Sequence, residues 1–185
     1  MKDSLKEPGK HTTMNRILRL VASLGFAFIS ILAFAQNVEL ADITKLLRSG
    51  QHAQALERVN QYLASRPKDA QGRFLKGLIL TEQNKTSEAI EVLTSLTKDF
   101  PELPEPYNNL AVLYASQGQY ERARQALEQS IRTHPAYATA YENLGDVYTK
   151  LASQAYDKAL QLDSSNTTAQ TKLALMKDLV SAGAK

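Results

Sequence analysis

Reactive side chains are few in this 185-residue chain, and those present stand apart from one another. Cysteine is absent, which removes disulfides, thiolate metal sites, thiol catalysis and a lipid-modified cysteine together. Beyond the first 35 residues there are two histidines. His52 falls at a turn and His134 directly precedes Pro135, so both read as ordinary surface or turn residues. No Gly-x-Ser-x-Gly elbow, His-Glu-x-x-His zinc pair, calcium loop or phosphate-cradling Gly-Lys-Ser/Thr occurs. Gly72 and Gly77 lack the third glycine and the preceding strand of a dinucleotide loop. Asn84-Lys-Thr86 and Asn166-Thr-Thr168 fit a glycosylation acceptor, a pattern that carries no catalytic chemistry. The expectation is a chain that is not an enzyme and takes no cofactor and no metal.

The net charge of +3 raises the question of a nucleic-acid or acidic-lipid partner, and its location answers it. Lys2, Lys6, Lys10, Arg16 and Arg19 stand against Asp3 and Glu7, leaving 17 basic and 17 acidic residues from position 36 onward. A neutral body argues for no nucleic-acid partner. The basic front leads into the apolar run Leu20 to Leu32 and then Ala33-Phe34-Ala35, the layout of a secretory signal with small residues at the cleavage point. Sixteen residues separate Arg19 from Gln36, short of the roughly 20 a membrane-crossing helix requires. The expectation is cleavage after Ala35 and residence in a Gram-negative periplasm, with full secretion as the alternative and no retained membrane span. Met14 opens a better proportioned signal than Met1, which sets residues 1–13 apart.

The elements behind this reading come from self-comparison at an offset of 34 residues. Pro67, Pro101 and Pro135 recur at that step, as do Ala55, Ala89 and Ala123, the series Ile43, Gly77, Ala111, Gly145, and the series Leu46, Leu80, Tyr114, Tyr148. A small residue at the eighth place (Gly77, Ala111, Gly145) and at the twentieth (Ala55, Ala89, Ala123) lets two antiparallel helices approach closely. Gly50 and Gly118, with Asn84 between them, supply the positive φ of a tight turn. Proline, which cannot donate the helical hydrogen bond, ends the second helix.

These columns resemble the tetratricopeptide-repeat family, whose unit reads Trp-x-x-Leu-Gly-x-x-Tyr, then Ala, an aromatic or Leu, and Pro. The third unit matches best, through Tyr107, Leu110, Ala111, Tyr114, Gly118, Tyr120, Ala123, Leu127 and Pro135. The second has Arg73 and Lys76 where the family prefers apolar residues. The resemblance implies an all-α solenoid of antiparallel helix pairs in a right-handed superhelix, with units at 36–69, 70–103, 104–137 and a truncated 138–163. Nearly all of tyrosines 107, 114, 120, 141, 148 and 156 fall on core columns, so packing accounts for them better than stacking on a ligand.

Five residues are missing from the fourth unit between Tyr148 and Ala152, where the turn belongs. Tyr141, Leu144, Tyr148, Leu151, Ala155, Ala159 and Leu162 instead continue at steps of three and four. The spacing predicts one helix from about 138 to 162. A further helix near 168–181, within the segment 164–185, is expected to cap the stack.

The resemblance also implies where a partner docks, because the leading helix of each unit lines a concave surface suited to a peptide or helix. Carried over by register, the binding positions include Leu40, Leu47, Phe74, Leu78, Asn108, Val112, Glu142 and Asp146, with Thr44, Arg48, Gln71 and Glu105 on the same track. The apolar members are expected to be exposed, making a groove that is apolar at its start and polar at its end. Leu40, Thr44, Phe74 and Leu78 replace the lysine and asparagine clamp by which some relatives hold a terminal carboxylate, which excludes that ligand. The expected function is an exported adaptor or scaffold that binds a protein or peptide. The alternatives are a self-associating envelope module forming a homo-oligomer and, with less weight, an accessory domain that delivers substrate to a separate enzyme.

Overall fold

The computed structural model describes residues 38–183, and all of its regular structure is helical. The expected signal segment and the expected cleavage point after Ala35 lie outside the described residues. Eight helices follow in order: α1 (38–48), α2 (His52–Ser65), α3 (Ala70–Glu82), α4 (Thr86–Asp99), α5 (Pro104–Ser116), α6 (Tyr120–Thr133), α7 (Ala138–Leu162) and α8 (Thr167–Gly183). From α2 onward each packs on the next, and α1 joins α2 through the core cluster of Leu40, Ile43, Val59 and Tyr62, so the hairpins stack in chain order as a solenoid; α5 also touches α7.

One turn is built three times. Gly50, Asn84 and Gly118 take φ of +74°, +57° and +72°. In each, the following residue's N–H reaches back five residues to a helix carbonyl: Gln51 to Leu46 at 3.0 Å, Lys85 to Leu80 and Gln119 to Tyr114 at 2.9 Å. This closes the first helix of each unit with its last carbonyls satisfied. The other connection is set by proline. Arg66, Phe100 and His134, each preceding a proline, adopt φ near −135° to −141°, outside the helical region that proline disfavours in its predecessor. Two of the helices that follow start on a cap or a proline: Asp69 Oδ1 accepts from the Gly72 N–H at 2.7 Å, and Pro104 opens α5.

Close approach is paid for with glycine at two places. A Cβ on Gly77 would stand 2.7 Å from Cδ2 of Leu93, and one on Gly72 would stand 2.7 Å from Cε1 of Tyr62. These contacts seat α3 against α4 and α2. The core forms two clusters, one around Leu40, Ile43, Val59, Tyr62, Leu75 and Ile79, the other around Leu80, Leu93, Leu110, Leu113, Leu127 and Val147. Leu56 packs against both, making the interior continuous. Arg73, foreign to its column, earns its place by hydrogen bonding: Nη1 donates to Asp99 Oδ2 at 2.7 Å and Nη2 to Ser95 Oγ at 2.9 Å.

The fourth unit has no turn. α7 runs unbroken for 25 residues. Its first half carries buried Ala140 and Val147 onto the core, with Leu144 and Leu151 packed beside them. Its second half lies against α8, through buried Ala169 and Leu173. Asn166 Oδ1 caps α8 by accepting from the Ala169 N–H at 2.9 Å.

Candidate functional site

The leading helices α1, α3, α5 and α7 carry the residues assigned to the groove. The clearest concavity on this track is a hollow between α1 and α3 lined by Leu40, Ala41, Thr44, Lys45, Arg48 and Gln71. Four of these six, Leu40, Thr44, Arg48 and Gln71, hold groove positions by register. Exposed Val112 and exposed Glu105 lie farther along on α5, and Glu142 and Asp146 on α7 are open to solvent.

The expected run of exposed apolar residues is corrected by the structure. Leu40 is only 3 % exposed and belongs to the N-terminal core cluster. The reason is spacing: Leu40 and Ile43, three residues apart, share the face of α1 that packs inward. Leu47, Phe74 and Leu78 are half-buried and pack against the core, so they present edges and not whole side chains. Val112, at 46 %, is the one apolar residue of the proposed set that is exposed.

Polar members are also sorted. Asn108 is buried and its Oδ1 accepts from Asn143 Nδ2 at 2.8 Å, joining α5 to α7. Thr44, Thr81 and Thr149 turn their hydroxyls onto the carbonyls four residues back, at 2.7, 3.0 and 2.9 Å. That leaves their methyl groups as the free part of each side chain. Burial, and secondarily the Glu105 carboxylate, raise the Tyr137 hydroxyl above its ordinary value of 10.0, so it stays protonated. Lys45 and Arg48 bring positive charge to the hollow at α1, and Glu105, Glu142 and Asp146, with Lys150 beside them on α7, make the far end mixed but richer in acid. No group of three or more His, Asp or Glu capable of holding a metal occurs among the described residues, and no described helix is long and apolar enough to cross a membrane.

Tyr141 and Tyr148 correct the packing account of the tyrosines. They are 50 % and 48 % exposed although they hold core columns, because the helix that covers those columns elsewhere does not fold back here. The sign of this was in the sequence, as the five missing residues.

Comparison with known proteins agrees with this geometry. Two profiles described as tetratricopeptide repeat match residues 43–104 and 80–145, together spanning most of the hairpins. A curated relative, the chloroplastic tetratricopeptide repeat domain-containing protein PYG7 of Arabidopsis thaliana, is 32 % identical over 87 residues, which is 44 % of this chain and 29 % of that protein. The chain spans less than half the length of the curated relatives it matches. Among solved structures, the MamA protein aligns with a TM-score of 0.57 at 21 % identity, over 80 % of this chain and 85 % of that one. YrrB, described as a TPR protein with an unusual peptide-binding site, aligns with 0.54 at 22 % identity, over 58 % and 55 %. At these identities the likeness is one of fold.

Proposed function

We propose, from the premise that this chain belongs to the tetratricopeptide-repeat family, that it is an adaptor holding a segment of a partner protein along the inner faces of α1, α3, α5 and α7. The observation that carries this reading is the hollow between α1 and α3, where four register-assigned residues converge. A segment lying there would set its acidic end against Lys45 and Arg48, pass apolar side chains over the edges of Phe74 and Leu78 and over Val112, and bring basic residues to Glu142 and Asp146. Repeat folds supply this kind of extended surface. The adaptor acts outside the cytoplasm on this reading, in a Gram-negative periplasm, after cleavage behind Ala35.

Two measurements test it. Affinity capture from an envelope extract, with wild type beside Val112→Asp and Arg48→Glu, is expected to lose the same partner with either exposed variant while thermal stability holds. Retention of every partner by both variants counts against the inner face. Mass analysis of the chain recovered from the envelope is expected to give an N-terminus at Gln36, and an intact Met1 or Met14 end in the cytoplasm would remove the export reading.

A further inference from the structure

In α3 and α4 the glycine at the eighth place of the unit receives the Leu93 side chain of the second helix. The matching Gly145 on α7 has no atom within 4 Å of an added Cβ. The residue that takes Leu93's column in the fourth unit is Tyr156, 11 residues further along the same unbroken helix. At about 1.5 Å per residue it lies roughly 16 Å away from Gly145 and cannot fold onto it. The first half of α7 therefore displays an acceptor face, and the second half carries the matching donor, on one rigid rod.

That rod bears a second feature. Tyr141, Gly145, Tyr148, Ala152, Ala155 and Ala159 recur at steps of four and three, the spacing of a coiled-coil seam. Ala138 and Leu162 extend it to both ends of the helix. Tyr141, Gly145, Tyr148, Ala155 and Leu162 are exposed, Leu162 at 79 %, while Ala152 and Ala159 are half-buried. The five charged residues of α7, Glu142, Asp146, Lys150, Asp157 and Lys158, all stand off this seam. It is a different face from the one that Ala140 and Val147 bury.

We propose that this seam pairs two copies of the chain, α7 against α7, antiparallel about a two-fold axis level with residue 150. The sequence is complementary to itself about that point. Tyr148 comes opposite Ala152 of the second copy, Gly145 opposite Ala155, Tyr141 opposite Ala159 and Ala138 opposite Leu162. Every large side chain meets a small one, as an antiparallel pair of close helices requires. The same register sets Tyr156, whose ring faces Lys172 of α8, level with Leu144 and one residue from Gly145 of the other copy, so the pairing that the lost turn prevents within the chain is approached between chains. Exchange of an equivalent element is a low-cost route to a symmetric dimer. A helix of some other protein could satisfy the acceptor half, but it has no reason to match the donor half in this mirrored order. The pairing does not depend on the inner groove being a binding site.

Because the chain has no cysteine, engineered pairs report the register directly. Gly145→Cys with Ala155→Cys places two exposed thiols about 15 Å apart along one helix, beyond the roughly 4.4–6.8 Å between Cα atoms that a disulfide spans. Oxidation of the full-length double variant is expected to give a band at twice the 20.5 kDa chain mass, at least ten-fold stronger than with either single variant. The pair Gly145→Cys with Ala159→Cys, one turn out of register, is expected to behave as the singles do. Light scattering of the wild type is expected to give the dimer mass, halved by Tyr148→Lys without loss of helicity. A monomeric wild type, equal cross-linking in the shifted pair, or a cysteine at 145 that captures a different protein overturns the proposal.

Discussion

Asn143 donates from Nδ2 to Oδ1 of Asn108 across 2.8 Å, bridging positions 35 residues apart on neighbouring leading helices. Register alone assigns Asn108 to the binding groove, yet its acceptor is already taken and its side chain is buried. The bond sets the spacing of α5 and α7, and with it the separation of Val112 from Glu142 and Asp146 on the inner face.

Removing either partner exposes that arrangement to measurement. Asn108→Ala leaves the half-buried Asn143 amide without its acceptor, and is expected to lower stability by about 1–3 kcal/mol in denaturant unfolding. A double-mutant cycle with Asn143→Ala is expected to give a coupling of about 0.5–1.5 kcal/mol. Additive losses would mean that the bond does not hold the two helices together.

Two glycines of one column are expected to respond with opposite sign. Gly77→Ala forces a methyl against Cδ2 and Cγ of Leu93, which is fully buried, and overpacking of this kind costs about 1–3 kcal/mol. Gly145→Ala meets open space inside a helix and is expected to gain about 0.5–1 kcal/mol from the lost flexibility of glycine. Thermal melts of the two variants at low protein concentration decide it, and a loss at both would show that the face beside Gly145 is not open.

The left-handed residue of the second turn gives a smaller effect. Asn84 holds φ +57° where the first and third units have glycine. Asn84→Ala is expected to cost about 1–2 kcal/mol, since a Cβ without a local polar group is disfavoured there. Asn84→Gly is expected to stay near wild type in the same unfolding assay. A neutral alanine variant would mean that the turn can rearrange.

The repeat architecture was legible because each of its requirements names a residue type. Positive φ asks for Gly50, Asn84 and Gly118, close helices ask for Gly77 and Ala111, and a broken helix asks for Pro67, Pro101 and Pro135. The missing turn of the fourth unit could be read for the same reason, since an unbroken stripe leaves no place for one. Exposure was less legible. Leu40 holds a groove register but is drawn inward with Ile43, and Tyr141 holds a core register but is left outside by α7. Register fixes the direction of a side chain within its own helix, whereas burial depends on whether a neighbour arrives to cover it. The first and last units are where neighbours differ from the repeat, and the corrections at Leu40 and Tyr141 fall there, whereas Phe74, Leu78 and Asn108 are drawn in by neighbours in the middle of the stack. Arg73 was legible as a departure only, because Asp99 and Ser95, which justify it, lie on another helix.

The joint between α7 and α8 is expected to be sensitive to acid. Asp163 ends α7, and its Oδ1 accepts from Ser165 Oγ at 2.6 Å and from the Ser165 N–H at 3.0 Å. These bonds, the hydroxyl first and the amide second, hold the carboxyl below its ordinary value of 3.8, against a small opposing effect of desolvation. A carboxyl that ionises more readily in the folded state contributes stability above its unfolded value, and that contribution is lost as pH falls through the lowered one. The wild type is therefore expected to keep its advantage over Asp163→Asn from neutrality down to about pH 4, and to lose it progressively below. Amide hydrogen exchange at residues 163–167, read beside thermal melts across that range, reports whether the loss is local to the joint. Ser165→Ala, which removes the stronger donor, is expected to shift the loss toward higher pH. An advantage that stays constant into strong acid would show that the carboxylate's charge does not fasten α8 to the end of α7.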